Sequence, residues 1–260
     1  MAKNNYDVGE KVALVTGGAS GIGAETARLL AANGAAVAVA DINGEGGAET
    51  VAAIEAAGGQ AVYISLDVTS EASWTAAVAS VVERFGGLHI VVNGAGIEVM
   101  AKIADTSLEV FHRVMAVNVD GVFLGIKHAM PAMRDAGGGS IINISSIAGI
   151  RGYNRQIAYV ASKGAVRLMT KAAAAEAAFY GFNVRVNSVH PGAIDTPMLA
   201  GSYQDAPDPA AEKAMIQQRY LLGRFGEASE IAAAILFLSS ADASYITGTA
   251  MAVDGGRTFY

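Results

Sequence analysis

The chain has 260 residues, 52% hydrophobic and 16% charged, with a net charge of −6 and no cysteine. Without cysteine there are no disulfides, thiolate nucleophiles or cysteine-ligated zinc. The acidic balance, with no Lys/Arg run, argues against nucleic acid or an anionic membrane as partner.

Seven short β-branched runs predict strands at 11–16, 35–41, 60–67, 88–94, 140–145, 183–190 and 249–255. Between them, alanine-rich patterns predict helices at 21–33, 44–57, 71–85, 108–134, 159–180 and 227–240. Strands joined by helix-length crossovers imply an α/β fold, a doubly wound parallel sheet of about seven strands with helices on both faces. The strands read as nearly continuous apolar runs, as doubly buried strands should. With no linker or repeat, residues 1–260 form a single domain. The rhythm breaks at 191–226, where PGAIDTPMLAGSYQDAPDPA holds four of the five prolines. This predicts a loop insertion, at about 193–220, that serves as a substrate lid. No window of about 18 uninterrupted apolar residues occurs, and the start MAKNNYDVGEK lacks the apolar core of a secretory signal. A cytoplasmic protein handling a small molecule is the expectation.

Directly after the first strand, TGGASGIG (16–23) opens a helix. Glycines at 17, 21 and 23 permit a tight turn and bring backbone amides against a pyrophosphate at the helix N-terminus. The second strand ends in Asp41, eighteen residues beyond Gly23. A carboxylate there suits a ribose 2′-hydroxyl and repels a 2′-phosphate, although a turn aspartate would also precede INGEGG. No Arg or Lys lies in the glycine loop or closely follows Asp41, which favours NAD over NADP.

The fifth strand runs through Asn143 into Ser145 and Ser146, with Tyr159 thirteen residues beyond Ser146 and Lys163 one helical turn further. Here the sequence resembles the short-chain dehydrogenase/reductase family over nearly its whole length. TGGASGIG, LDVT (66–69), NGAG (93–96), NVDG (118–121), NISS (143–146), YVASK (159–163), HPGAIDT (190–196) and TGTAMAVDGG (247–256) follow the family's order. The wording is similar to bacterial hydroxysteroid and secondary-alcohol dehydrogenases in a single-domain Rossmann-type branch. One departure is Gly94, where that branch usually has a second asparagine.

The resemblance implies that Asn118, Ser146, Tyr159 and Lys163 are catalytic. Tyr159 would exchange a proton with the substrate oxygen, which Ser146 positions. Lys163 would bind the nicotinamide ribose and lower the tyrosine's pKa, and Asn118 would hold a water linking Lys163 to solvent. The same resemblance implies that NAD is bound by Gly17, Ser20, Gly21, Ile22, Gly23, Asp41, Ile42, Asp67, Val68, Asn93, Ala95, Gly96, Tyr159, Lys163, Pro191, Gly192, Ile194 and Thr196. A free tyrosine, with pKa of about 10, is only about one part in a thousand phenolate at neutral pH. A base poised near 7 therefore needs roughly 4 kcal/mol of help, to which a nearby ammonium and an oxidised nicotinamide contribute.

Substrate should lie among loops 97–102, 147–157 and 193–220, with Ile97, Val99, Ile147, Ile150, Tyr153, Met198, Leu199 and Tyr203 as apolar lining. Such a pocket suits a secondary alcohol or ketone of alicyclic, aromatic or steroid-like body. Arg151 or Arg155 could instead receive a substrate carboxylate, and a sugar alcohol or 3-oxoacyl substrate is the polar alternative. A non-catalytic NAD-binding regulator is the competing class. A nucleotide-sugar epimerase would show a different glycine spacing and a longer C-terminal region. His190 reads as a buried structural histidine, and no histidine pairing suggests a metal site. Related enzymes imply a homotetramer.

Overall fold

The computed structural model describes residues 6–204 and 206–259. The first five residues of the polar start, and position 205 of the insertion, lie outside the described residues. The seven strands are β1 (Val12–Thr16), β2 (Ala36–Asp41), β3 (Gln60–Ser65), β4 (Ile90–Asn93), β5 (Gly139–Ile144), β6 (Val184–Pro191) and β7 (Ala250–Val253). They form one parallel sheet in the order β3-β2-β1-β4-β5-β6-β7. The helices are α1 (Gly21–Ala32), α2 (Gly44–Ala56), α3 (Glu71–Phe85), α4 (Leu108–Met115), α5 (Gly121–Asp135), α6 (Ile157–Phe179), α7 (Pro197–Ala200), α8 (Pro209–Gln217) and α9 (Ala228–Ser239).

Period-two alternation divides each central strand between two cores. In β1, Val12 and Leu14 join the layer containing Trp74 of α3, Met133 of α5 and Val166 of α6. Ala13 and Val15 join Leu30 of α1, Ile54 of α2 and Ile235 of α9 on the other face. Trp74 is fully buried, and its Nε1 donates to the Val68 carbonyl at 3.1 Å, so its size is used without stranding its polar group. The expectation of doubly buried strands holds for β1, β2, β4, β5 and β6, but β3 and β7 are partly exposed. They are the sheet's edges, flanked by a neighbouring strand on one side only.

The order reverses between β1 and β4, which opens a crevice at the strands' carboxyl ends. Register places Thr16 beside Asn93, Asn93 beside Asn143 and Asn143 beside Ser188, a polar row under that crevice. Asn93 Nδ2 donates to Asn143 Oδ1 (2.8 Å), and Asn143 Nδ2 donates to Thr170 Oγ1 (2.9 Å), tying the sheet to α6.

Two elements differ from the sequence reading. The single helix expected at 108–134 contains a π-helical turn, Ala116–Asp120, between α4 and α5. That extra residue in the winding shifts the faces before and after it, and Asn118 sits in it. The insertion is not a loop, because Pro197 and Pro209 begin α7 and α8. Proline is tolerated at a first helical turn, where its missing N–H has no partner to lose. At the base of the insertion Ile194 pairs with Gly226. Asp195 N donates to the Gly226 carbonyl (2.8 Å), and Gly226 N donates to the Ala193 carbonyl (2.9 Å). Among the described residues no helix is long and apolar enough to cross a membrane.

Candidate active site

A cavity of about 620 Å³ occupies the crevice. At one end it is lined by Gly17, Ser20, Gly21, Ile22, Gly23, Asp41, Ile42, Asp67 and Val68. The N-terminus of α1 opens here. At α2, α3, α4 and α8 the N-cap side chain accepts a backbone amide, whereas Ser20 does not cap α1, and no acidic residue sits in its first turn. Unpaired amides and the positive end of the helix dipole therefore face the cavity, an environment made for a phosphate group. Gly23 permits the approach of helix to loop. A β-carbon there would lie 2.1 Å from the Gly17 carbonyl oxygen.

Asp41 is both a turn residue and a wall of this cavity. Its Oδ2 accepts from Ala19 N (3.1 Å) and its Oδ1 from Asn43 N (2.9 Å), so the carboxylate is fixed at the end of β2 with lone pairs to spare. Among the described residues no lysine or arginine lines this end of the cavity.

Gly94 has a local reason. A β-carbon at this position would lie 2.7 Å from the Thr16 carbonyl oxygen, so the backbone passes too close for a side chain. Thr16 Oγ1 accepts from both Gly94 N (3.0 Å) and Ala95 N (3.2 Å) and holds the segment in place. Asn93 lies behind the cavity wall, bonded to Asn143, while Ala95 and Gly96 line it.

Ser146, Tyr159 and Lys163 share the central wall with Pro191, Gly192, Ile194 and Thr196. The two serines after β5 separate by partner. Ser145 Oγ donates to the Lys163 carbonyl (2.8 Å), whereas Ser146 Oγ accepts from Ala148 N (3.1 Å) and hydrogen-bonds to Tyr159. Lys163 is buried, its Nζ donating to the Ile144 carbonyl (2.9 Å) and lying 5.6 Å from the Tyr159 ring centre. Burial pushes the Lys163 ammonium down to about 8, against the opposing charge of Glu98. The Tyr159 phenol is pushed up, first by burial and then by Glu98, with the Ser146 hydrogen bond acting in the other direction. Among the protein's own groups the expected lowering of Tyr159 by Lys163 does not emerge, and desolvation of the phenolate is the largest cause of the rise.

Asn118 does not reach the cavity. Fully buried, it accepts from Ile97 N (2.8 Å) and donates to the Ile97 carbonyl (2.9 Å) and Ser162 Oγ (3.0 Å). Both amide hydrogens are used, so a water shared with Lys163 could meet only its acceptor groups. The side chain instead fixes the loop after β4 against α6.

Of the expected substrate residues, Ile97, Ile147, Tyr153, Met198 and Leu199 line the cavity. Val99, Ile150 and Tyr203 do not. Tyr203 packs against Phe225 with ring centres 6.2 Å apart, inside the insertion. Arg151 does not line the cavity; its guanidinium donates to the Arg257 carbonyl (3.0 Å) and lies over the ring of Tyr153. Arg155 lines the cavity but has an exposed side chain. The sequence reading missed Glu98, Gln156, Arg219, Tyr220 and Arg257, all of which line the cavity. They come from four separate segments and carry no shared motif, so only folding assembles them. Among the described residues no group of three or more His, Asp or Glu is placed to hold a metal.

A family model described as enoyl-(acyl carrier protein) reductase matches residues 17–258. The chain is 46% identical over 251 residues to cyclopentanol dehydrogenase of Comamonas sp. (strain NCIMB 9872), covering 96% of this chain and 98% of that one. It is 43% identical over 267 residues to trans-4-hydroxycyclohexanecarboxylate dehydrogenase of Sinomonas cyclohexanicum, covering 99% and 96%. The chain belongs to the short-chain dehydrogenase/reductase family. Among solved members, the levodione reductase crystal structure superposes with a TM-score of 0.92 at 38% identity, covering 96% of this chain and 98% of that one. As a member of the family the chain is an oxidoreductase acting on CH–OH groups through a nicotinamide cofactor.

Proposed function

We propose that the enzyme oxidises a secondary alcohol with an apolar, alicyclic body to the ketone, and reduces it in reverse, with NAD as cofactor and Tyr159 as the proton-exchanging group. The observation that carries this reading is the placement of Ser146, Tyr159 and Lys163 on one cavity wall, with the uncapped end of α1 and Asp41 at its far end. The residues fit a dinucleotide: α1 amides for the pyrophosphate, Asp41 for the ribose hydroxyls, and Lys163 and Tyr159 toward the nicotinamide ribose. NAD, when bound, supplies the hydride acceptor. An anionic Asp41 with no cation beside it supports NAD over NADP.

In oxidation, Ser146 and Tyr159 hold the carbinol oxygen, and Tyr159 takes its proton. Lys163 holds a positive charge beside the tyrosine ring, where it favours the phenolate. The apolar walls Ile97, Ile147, Met198, Leu199 and Ile216 exclude water and suit a hydrocarbon ring. The alicyclic substrates named for the two curated relatives support this choice. The test is NADH formation, followed by absorbance, over a panel of cyclic, aromatic and steroid secondary alcohols. Activity on cyclic alcohols with NAD is the expected result, and NAD binding with no turnover across the panel would overturn the reading.

The assembly we infer is a homotetramer. Phe123 of α5 and Leu168 and Phe179 of α6 are 50%, 67% and 82% exposed, which leaves apolar surface on the outward helices for a second copy to cover.

A further inference from the structure

Glu98 carries a carboxyl group into the substrate end of the cavity, whose lining joins apolar Ile97, Ile147, Met198 and Leu199 with polar Gln156 and the cations of Arg155, Arg219 and Arg257. The side chain is half-buried and has one hydrogen-bond partner among the described residues: Gln156 Nε2 donates to Oε1. Gln156 is the N-cap position of α6, the helix that bears Tyr159 and Lys163. A second bond runs alongside, from Ala101 N to the Arg155 carbonyl (2.8 Å). The loop after β4 is therefore clasped to the segment entering α6, and the clasp fixes where the carboxyl stands. Oε2 has no partner among the described residues.

That oxygen is open to the cavity and can accept a hydrogen bond from a bound substrate in place of water. Glu98 lines the same cavity as Tyr159 and Lys163, so its carboxyl faces the space that a substrate seated on Tyr159 would occupy. We propose that Glu98, oriented by Gln156, determines substrate specificity by accepting a hydrogen bond from a second hydroxyl on the substrate ring and by repelling a substrate carboxylate. The preferred class is then a neutral cyclic diol or hydroxyketone rather than a hydroxy acid. This rests on the reading of Tyr159 as the group that meets the reacting oxygen.

The test compares kcat/KM for cyclohexanol, cyclohexane-1,4-diol and 4-hydroxycyclohexanecarboxylate in the wild type, Glu98→Gln and Glu98→Asp. A ratio between substrates within one enzyme cancels any general loss of folding or activity. A hydrogen bond to a charged group amounts to about tenfold or more in such a ratio. The wild type is expected to prefer the diol to cyclohexanol by about that factor and to disfavour the carboxylate. Glu98→Gln should bring the diol ratio to within about threefold of unity and raise the relative rate on the carboxylate. Glu98→Asp, which keeps the charge but withdraws it by one methylene, should lose the diol preference and still reject the carboxylate. Unchanged ratios in both variants would overturn the proposal and leave Glu98 a structural clasp, with the dehydrogenase reading intact. A wild type inactive on all three rings would overturn the reading of a simple alicyclic alcohol as substrate, and the proposal with it.

Discussion

The Ser146 carbonyl and His190 Nδ1 are hydrogen-bonded at 2.8 Å behind the cavity wall, while His190 Nε2 lies 2.9 Å from Ser188 Oγ. His190 is fully buried, and burial pushes its imidazole down to about 4. A neutral ring with Nδ1 protonated and Nε2 accepting satisfies both contacts. The residue that positions Ser146 is thus a histidine outside the cavity, on the neighbouring strand β6.

This buried histidine makes stability depend on pH in a definite direction. Its folded pKa lies below the ordinary 6.5, so between pH 6.5 and about 4 the unfolded chain binds more protons than the folded one. The stabilisation is fully present above about 6.5 and is lost as pH falls toward 4, about 2 kcal/mol having gone by pH 5. Urea unfolding at pH 7.5 and 5.0 checks this. His190→Asn, which keeps a donor near Ser146 without the titration, is expected to lose less stability between the two pH values. Equal losses would assign the acid sensitivity to other groups.

Tyr159→Phe removes the proton donor and keeps the ring. A fall of about a hundredfold to ten-thousandfold in kcat is expected, with NAD affinity changed by less than about threefold. Steady-state kinetics and a fluorescence titration of NAD read the two separately. Retained turnover would remove Tyr159 from the chemistry.

Gly23→Ala places a β-carbon 2.1 Å from the Gly17 carbonyl oxygen, too close for either backbone to stay. The variant should lose roughly 1–3 kcal/mol of stability and bind NAD more weakly, as α1 and its loop separate. Thermal unfolding with and without NAD measures both effects, and a variant with wild-type NAD affinity would contradict the close packing.

Cofactor preference is expected to follow Asp41. Asp41→Asn removes the charge and keeps one acceptor oxygen, enough for Ala19 N or Asn43 N but not both, and Ile42→Arg adds a cation at an exposed position. Together they should move the NADP-to-NAD ratio of kcat/KM by about tenfold or more. An unmoved ratio would leave Asp41 as a turn residue alone.

Sedimentation velocity is expected to show a tetramer. Phe179→Glu, on the exposed end of α6, should shift the distribution toward smaller species. A wild-type monomer would rule out the assembly.

The alternation of apolar runs and helical patterns determined the layers by itself, because strand and helix periods are local and a doubly covered sheet demands unbroken apolar strands. The glycine spacing, the acidic end of β2 and the interval from Ser146 to Tyr159 were legible for the same reason: each lies within one strand–loop–helix unit. Tertiary structure decided the rest. Glu98 meets Gln156 across 58 residues, and His190 meets Ser146 across 44, because neighbouring segments in the sheet bring them together. The π turn at Asn118 has no periodic signal, since one extra residue in a helix leaves the apolar pattern nearly unchanged. Prolines in the insertion read as breaks until Pro197 and Pro209 proved to begin helices. Burial, which pushes Tyr159 up and Lys163 down, is a property of surroundings that no spacing encodes.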